Sequence, residues 1–130
     1  MCMVYFASGG AQTPLVLAAN RDEFYERPTE PMAFWPDHPD LLAGRDSRAG
    51  GTWLGMTRAG RIAWITNYRG GKRHEDPPSR GQLVREFLVG DTSADRFGDL
   101  LARVGPDYEG FNLVYGHHDR LFYYSNQTRM

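Results

Sequence analysis

Apolar residues in this chain fall into short runs that alternate with polar residues, a pattern that predicts β-strands joined by tight turns. The first two runs, at 2–7 and 14–22, flank a Gly9-Gly10 pair and predict an antiparallel hairpin. Two further hairpins are predicted from later runs, 52–57 with 61–68 and 111–115 with 120–124. Most of the chain is therefore expected to form antiparallel sheet.

Two stretches have apolar residues at the spacing that predicts an amphipathic helix. At 79–89 and 93–104 the apolar positions recur every three or four residues. Ser79 with Gln82 predicts a capping box at the start of the first helix. Because the two helices are inserted between predicted antiparallel strands, the fold class is expected to be α+β.

The segment 24–40 carries four prolines, and we interpret it as a structured loop. Its aromatic pair, Phe34-Trp35, could form the wall of a pocket, although such residues more commonly cover the edge of a core. A short strand is predicted at 41–46. The glycines at 50 and 51 predict a turn where the backbone comes close to another segment.

Composition limits the function classes. With 130 residues, 41% hydrophobic and 24% charged, the chain has the length and balance of one globular domain. A net charge of −1 gives no electrostatic case for nucleic acid or anionic lipid as a partner. No apolar run approaches membrane-spanning length. The single cysteine cannot form an internal disulfide, so a reducing, cytoplasmic compartment is expected.

That cysteine, Cys2, would become the first residue after removal of Met1. An N-terminal cysteine carries both a nucleophilic thiol and an α-amine able to act as a base near neutral pH. If the first hairpin forms, Asp22 returns to the N-terminus and is the natural partner of the α-amine. Asn67, at the end of a predicted strand, could stabilise an oxyanion. Each has a simpler alternative: a lone cysteine is commonly a small buried hydrophobe, and a strand-end Asn commonly caps a turn.

The turn at His117-His118-Asp119 contains residue types that bind divalent metals. Adjacent positions on a tight turn rarely converge on one ion. We therefore predict a solvated turn and no metal site.

Several motifs occur in a fixed order along the chain. They are Met1-Cys2, Leu17-Ala18-Ala19-Asn20-Arg21-Asp22-Glu23-Phe24, Arg27-Pro28, Leu42-Ala43-Gly44-Arg45-Asp46, Gly50-Gly51-Thr52-Trp53-Leu54-Gly55 and Thr66-Asn67-Tyr68-Arg69. From residue 1 to about Tyr124, this ordered set resembles the NRDE family, also called the transport and Golgi organisation protein 2 family.

The NRDE family in turn resembles the cysteine group of the N-terminal-nucleophile (Ntn) hydrolases, which includes bile-salt hydrolases and penicillin V acylases. The resemblance implies that Cys2 attacks an amide or acyl carbonyl, that Asp22 holds the α-amine and that Asn67 stabilises the oxyanion. That group usually has an Arg before the Asn of its second strand, whereas this chain has Ala19 there and Arg21 after Asn20.

Members of the family are longer than this chain. The resemblance therefore implies that residues 1–130 are a single domain truncated at its C-terminus, equivalent to the first half of a four-layer αββα sandwich. Such a half would leave apolar sheet surface uncovered and open to self-association.

Two functions from different classes follow. The first is an amidohydrolase or acyltransferase that needs no cofactor. The second is a non-catalytic protein that binds and moves a lipid, acyl-CoA or haem, with Cys2 as a thiolate ligand to haem iron. Its apolar pocket would be lined by Phe34, Trp35, Trp53 and Trp64. An inactive fragment is a third possibility. The residues assigned to substrate binding are Asn20, Arg21, Phe34, Trp35 and Trp53.

Overall fold

The computed structural model describes residues 3–10, 12, 15–20, 26–68 and 74–127. Its elements, in chain order, are β1 (Met3–Ser8), β2 (Leu15–Asn20), β3 (Thr29–Phe34), β4 (Leu41–Asp46), β5 (Leu54–Thr57), β6 (Arg61–Asn67), α1 (Gly81–Val89), α2 (Ala94–Val104), the 3-10 turn Gly105–Asp107, β7 (Phe111–His117) and β8 (Arg120–Ser125). The two helices and most strands lie where the hydrophobic pattern predicts them.

Six of the strands form one antiparallel sheet in the order β3-β4-β5-β6-β7-β8, and β1 pairs with β2 in a separate two-stranded sheet. Both helices lie in the connection from β6 to β7. The predicted α+β class with antiparallel sheets and two helices is therefore confirmed. So are the three hairpins, β1-β2, β5-β6 and β7-β8.

The helices cover one face of the six-stranded sheet. Alternate residues of β6, Ala63 and Ile65, belong to the same buried cluster as Phe87 of α1 and Phe97 of α2. Trp64 points to the opposite face, where the Phe6 ring of β1 lies 5.2 Å from it. The described residues are therefore arranged with helices on one side of β6 and β1 on the other.

Three aromatic rings join the helices to the sheet. The Phe87 ring lies 5.0 Å from that of Phe97 and 5.4 Å from that of Tyr115 on β7, all in edge-to-face geometry. Edge-to-face rings gain electrostatic attraction beyond the burial of their apolar area. This cluster fixes α1 and α2 against the middle of the sheet. Among the described residues, neither helix has the length and apolar character that crossing a bilayer requires.

The interpretation of 24–40 as a loop is wrong for part of the segment, because it contains β3 with Pro31 inside it. Proline lacks the backbone N–H that a central strand needs, but an edge strand leaves one side unpaired. β3 is the edge of the sheet, and its register against β4 shifts between Glu30 and Ala33. The proline is accommodated at this irregularity.

The predicted capping box at α1 is also wrong. The Ser79 hydroxyl accepts a hydrogen bond from Arg27 at 3.3 Å, and the Gln82 side chain donates to the carbonyl of Ala49. The N-cap residue is Arg80, without a side-chain cap bond. The two polar side chains of the predicted capping box therefore bind residues distant in the chain and do not cap the helix. At α2 the Ser93 hydroxyl does accept from a backbone N–H of the first turn, at 3.3 Å.

Candidate functional site

A cleft of about 310 Å³ opens where the end of β6, the connection from β4 to β5 and the start of α1 meet. Its lining comprises Arg27, Asp46, Arg48, Ala49, Thr52, Trp53, Ile65, Asn67, Pro77, Pro78, Ser79, Arg80, Gly81 and Glu109. Two of the residues singled out from sequence, Trp53 and Asn67, are therefore brought to one cavity.

The close approach of two backbones forms one wall of this cleft. A Cβ added to Gly51 would lie 2.6 Å from the carbonyl carbon of Gly81, a distance that no side chain tolerates. The N–H of Thr52 donates to the Gly81 carbonyl at 3.3 Å. The predicted close backbone approach is confirmed at Gly51. The predicted turn is confirmed at Gly50, whose φ of +80° favours glycine.

Asp46 organises the segments around the cleft. Its Oδ2 accepts a hydrogen bond from Arg27 Nε at 2.9 Å and another from the same guanidinium at 2.5 Å. Its Oδ1 accepts from the backbone N–H of Arg48 at 3.0 Å. Because Arg27 also donates to Ser79, one buried carboxylate connects the entry to β3, the end of β4 and the start of α1.

Burial opposes ionisation of the Asp46 carboxyl, yet its pKa lies below the ordinary value of 3.8. The opposing contributions come from the hydrogen bond and positive charge of Arg27 and from backbone N–H donors of the following turn. The carboxylate form is therefore the one that the folded chain stabilises.

Asp46→Asn is expected to lower the free energy of unfolding by about 2 kcal/mol near neutral pH, since it removes charge-assisted hydrogen bonds. Because the folded pKa is depressed, this contribution is full above the unfolded value and is lost as pH falls through the folded pKa, below 3.8. Urea unfolding of both proteins at several pH values measures the difference. Asp37→Asn, which removes an exposed partner of Arg45, is the control and should change stability less near neutral pH. A pH-independent difference for Asp46→Asn would contradict the linkage.

The cleft has a charged rim. Three arginines, Arg27, Arg48 and Arg80, line it together with the carboxylates of Asp46 and Glu109. Arg80 donates to the Gly110 carbonyl at 2.9 Å, which holds its side chain beside the start of β7. This lining suits a ligand with polar or anionic groups better than a wholly apolar one.

Asn67 is the last residue of β6 and pairs with Phe111 of β7, so its backbone is held by the sheet. Trp53 packs closely over Gly44, where an added Cβ would lie 2.6 Å from the indole ring. The carbonyl of Trp53 accepts a hydrogen bond from the N–H of Ile65 at 3.0 Å. The sheet therefore positions both residues in the lining of the cleft.

Phe34 and Trp35 do not line this cleft. Trp35 is 3% exposed, its Nε1 donates to the Ala43 carbonyl at 3.1 Å, and the Arg45 guanidinium stacks on its ring at 4.0 Å. Phe34 is 45% exposed beneath the guanidinium of Arg58. Trp35 covers the edge of the core, as the alternative interpretation held, and the ligand-binding role of the pair stays a prediction.

Of the remaining residues predicted from sequence, the structure describes only Asn20. Asn20 is exposed at the end of β2, directly opposite Met3 of β1. Cys2, Arg21 and Asp22 lie outside the described residues.

Sequence reasoning missed Arg27 and Asp46 as site residues. Both stood in motifs that carried the family resemblance, Arg27-Pro28 and the strand 41–46. The available signal was an acidic residue at the end of a strand that begins with four apolar or small residues, since a buried carboxylate needs a cationic partner. The residues next to Asp46 in the sequence do not indicate that its partner is Arg27, which lies 19 positions earlier.

The family profile described as Transport and Golgi organisation 2 matches residues 1–130. The chain belongs to this family. The match confirms the resemblance found in the ordered motifs.

Curated members of the Transport and Golgi organisation 2 family are similar over most of this chain. The mouse Transport and Golgi organization 2 homolog is 37% identical over 123 residues, which cover 88% of this chain and 44% of the mouse protein. The human homolog gives the same figures. Transport and Golgi organization protein 2 of Drosophila melanogaster is 29% identical over 130 residues, or 88% of this chain and 45% of the fly protein. The chain thus spans less than half the length of these relatives.

Proposed function

We propose that this chain carries the nucleophile-bearing part of an N-terminal-cysteine amidohydrolase or acyltransferase. Cys2 attacks the carbonyl carbon of an amide or acyl substrate, and its α-amine takes the thiol proton and then gives it to the leaving group. Asp22 holds the α-amine, and the Asn67 amide donates a hydrogen bond to the oxyanion of the tetrahedral intermediate. Water or a second acceptor then releases the acyl group.

The observation that carries this proposal is the register of the first strand pair. Met3 lies opposite Asn20, and the pairing continues without a shift to Ser8 opposite Leu15. Cys2 directly precedes Met3 in the sequence, and Asp22 is two residues beyond Asn20. We therefore expect the thiol and the carboxylate at the same end of this strand pair.

This proposal puts the acyl-transfer reaction beside Asn67. Strand alternation puts Asn67 on the Ile65 side of the sheet, whereas β1 contacts Trp64 on the other side. The proposal therefore requires the Cys2 thiol to reach Asn67 around the end of the sheet. The cleft beside Asn67 would receive the acyl or amide substrate, with Trp53 as its aromatic wall.

The layered arrangement supports the fold assigned with this function. We propose that α1 and α2, the six-stranded sheet and the β1-β2 pair correspond to three layers of an Ntn-type αββα sandwich, in one domain that continues in longer relatives. Helices on the Ala63 side of β6 and β1 on the Trp64 side are what such layering requires.

Ligand binding without turnover is the second candidate, favoured by the charged rim of the cleft. A haem-binding version does not fit the described residues, because the aromatics proposed for its pocket do not share a cavity. Trp35 lies in the core, Trp64 lies against Phe6, Phe34 is at the sheet edge, and only Trp53 of the four lines the cleft.

Intact-mass spectrometry tests the catalytic proposal. Incubation with p-nitrophenyl acetate is expected to add one acetyl group to a protein that has lost Met1, and peptide mapping should place the group on residue 2. Cys2→Ala should acquire no acetyl group there, while Asn67→Ala should still be acylated, but slowly. Retention of Met1, or equal acylation of the Cys2→Ala protein, would overturn the mechanism. Ligand retention without acylation would favour the second candidate.

A further inference from the structure

Two turns meet at the end of the sheet opposite the cleft. The turn between β5 and β6 contains Ala59 and Gly60, and the turn between β7 and β8 contains His118. The N–H of His118 donates to the Gly60 carbonyl at 3.1 Å, and His117 Nε2 lies 2.9 Å from the Ala59 carbonyl oxygen. A side chain on Gly60 would collide with the His117 ring, so glycine leaves the space that this ring fills.

These contacts define which nitrogen of His117 carries a proton. A carbonyl oxygen only accepts hydrogen bonds, so Nε2 must be the N–H that donates to Ala59. In the neutral imidazole the other nitrogen, Nδ1, then presents a lone pair. That lone pair faces Asp119 Oδ1 at 2.8 Å.

Two electron-rich atoms at this separation repel each other unless a cation lies between them. The cation can be a second proton on the imidazole or a metal ion. Metal–nitrogen and metal–oxygen bonds of about 2.0–2.2 Å place neighbouring ligand atoms roughly 2.9–3.4 Å apart at right-angled to tetrahedral geometry. The observed separation of 2.8 Å lies just below that interval.

His118 is a third candidate ligand close to this pair. The His118 ring centroid lies 4.3 Å from that of His117, and the candidate ligand atoms of His117, His118 and Asp119 all lie within 4.8 Å of one another. The contact with Ala59 holds the His117 ring in place beside the other two side chains of the turn. Small movements of the exposed His118 and Asp119 side chains would complete a coordination set.

We propose that this turn binds one divalent transition-metal ion through His117 Nδ1, a ring nitrogen of His118 and the Asp119 carboxylate. Two imidazoles and a carboxylate suit Zn²⁺ or its neighbours Ni²⁺ and Cu²⁺, and water would fill the remaining positions. The Ala59 carbonyl supplies the outer hydrogen bond that a metal-binding histidine commonly makes.

This metal site is separate from the proposed acyl-transfer site. Arg61 pairs with His117 at one end of the β6-β7 ladder, and Asn67 pairs with Phe111 at the other. Six residues of strand separate them by about 20 Å. A bound ion would fix the His117 ring, which already hydrogen-bonds Ala59 of the other turn, and would stabilise the native sheet against unfolding.

Zinc titration by calorimetry tests the proposal, in a Cys2→Ser background that removes the only thiol of the chain. At about pH 7.5, above the ordinary histidine pKa, one Zn²⁺ per chain is expected. His118→Ala and Asp119→Asn should each weaken binding at least about tenfold, since even outer-shell changes cost about that much. His38→Ala, which removes a histidine elsewhere, is the matched control and should bind as the parent does.

Nitrogen-15 NMR of the parent protein gives a second readout that does not depend on variants folding. Zinc should shift His117 Nδ1 and leave Nε2 protonated. Absence of binding, equal weakening in His38→Ala, unchanged affinity in Asp119→Asn, or a His117 Nδ1 that stays protonated at saturating Zn²⁺ would each overturn the proposal. The last result would mean that a proton alone bridges His117 and Asp119.

Discussion

Replacing Asn67 by alanine is expected to reduce the rate of p-nitrophenyl ester turnover about 10²- to 10³-fold, the usual effect of removing one oxyanion donor. The reason is that the side-chain amide would meet developing negative charge from a position that the β6-β7 pairing already holds. The measurement is kcat from p-nitrophenolate release, with KM determined separately. KM should change little, because the oxyanion forms only in the transition state.

Asn112→Ala is the matched control for this prediction. Asn112 lies on the adjacent strand, opposite Thr66, and its side chain accepts a hydrogen bond from the Tyr123 hydroxyl at 2.8 Å. It does not line the cleft, so its removal should leave kcat within about twofold of the parent value. Equal losses in both variants, accompanied by lower melting temperatures, would indicate damage to the sheet and contradict the assigned role of Asn67.

Phe87→Ala is expected to lower the free energy of unfolding by about 3–5 kcal/mol, the range for removing a large buried aromatic side chain. Phe87 is 1% exposed and contacts rings from both α2 and β7. The Arg61 guanidinium also lies 3.9 Å above its ring. Since domains of this kind are commonly stable by only about 5–15 kcal/mol, the variant would lose much of its stability.

Urea unfolding followed by tryptophan fluorescence measures this loss, with Phe34→Ala as the control. Phe34 has the same side chain but is 45% exposed on the edge strand, so its truncation should cost less than about 1 kcal/mol. Similar midpoints for the two variants would show that the Phe87 cluster does not hold the helices to the sheet.

The contrast between β3 and the other strands explains where sequence reasoning stopped. β4, β6 and β7 are rich in apolar residues because they are largely buried in the sheet. A buried strand can therefore be recognised in the sequence as an apolar run. Every residue of β3 is exposed and one is proline. An edge strand needs neither alternation nor a complete set of N–H donors, so its sequence resembles that of a loop.

The candidate site divides in the same way. Asn67 and Trp53 could be singled out from sequence because they lie at or next to the ends of strands with a clear hydrophobic pattern. The link between Arg27, Asp46 and Ser79 was not, because its hydrogen bonds span 19 and 52 residues and depend on how β4 and α1 approach each other. The same tertiary contacts redirected the Ser79 and Gln82 side chains away from the local cap that their spacing predicted.

Family membership, the α+β class, the three hairpins and the two helices were determined by the sequence alone, since each depends on local periodicity or on motifs read in order. Only the tertiary structure revealed the cleft, the hydrogen-bond network of the buried Asp46 carboxylate and the contact between the turn at His117 and Gly60. Those features join residues that are distant in the chain, and their geometry follows from how sheet and helices pack. The local pattern of hydrophobic and polar residues does not specify how these elements pack against one another.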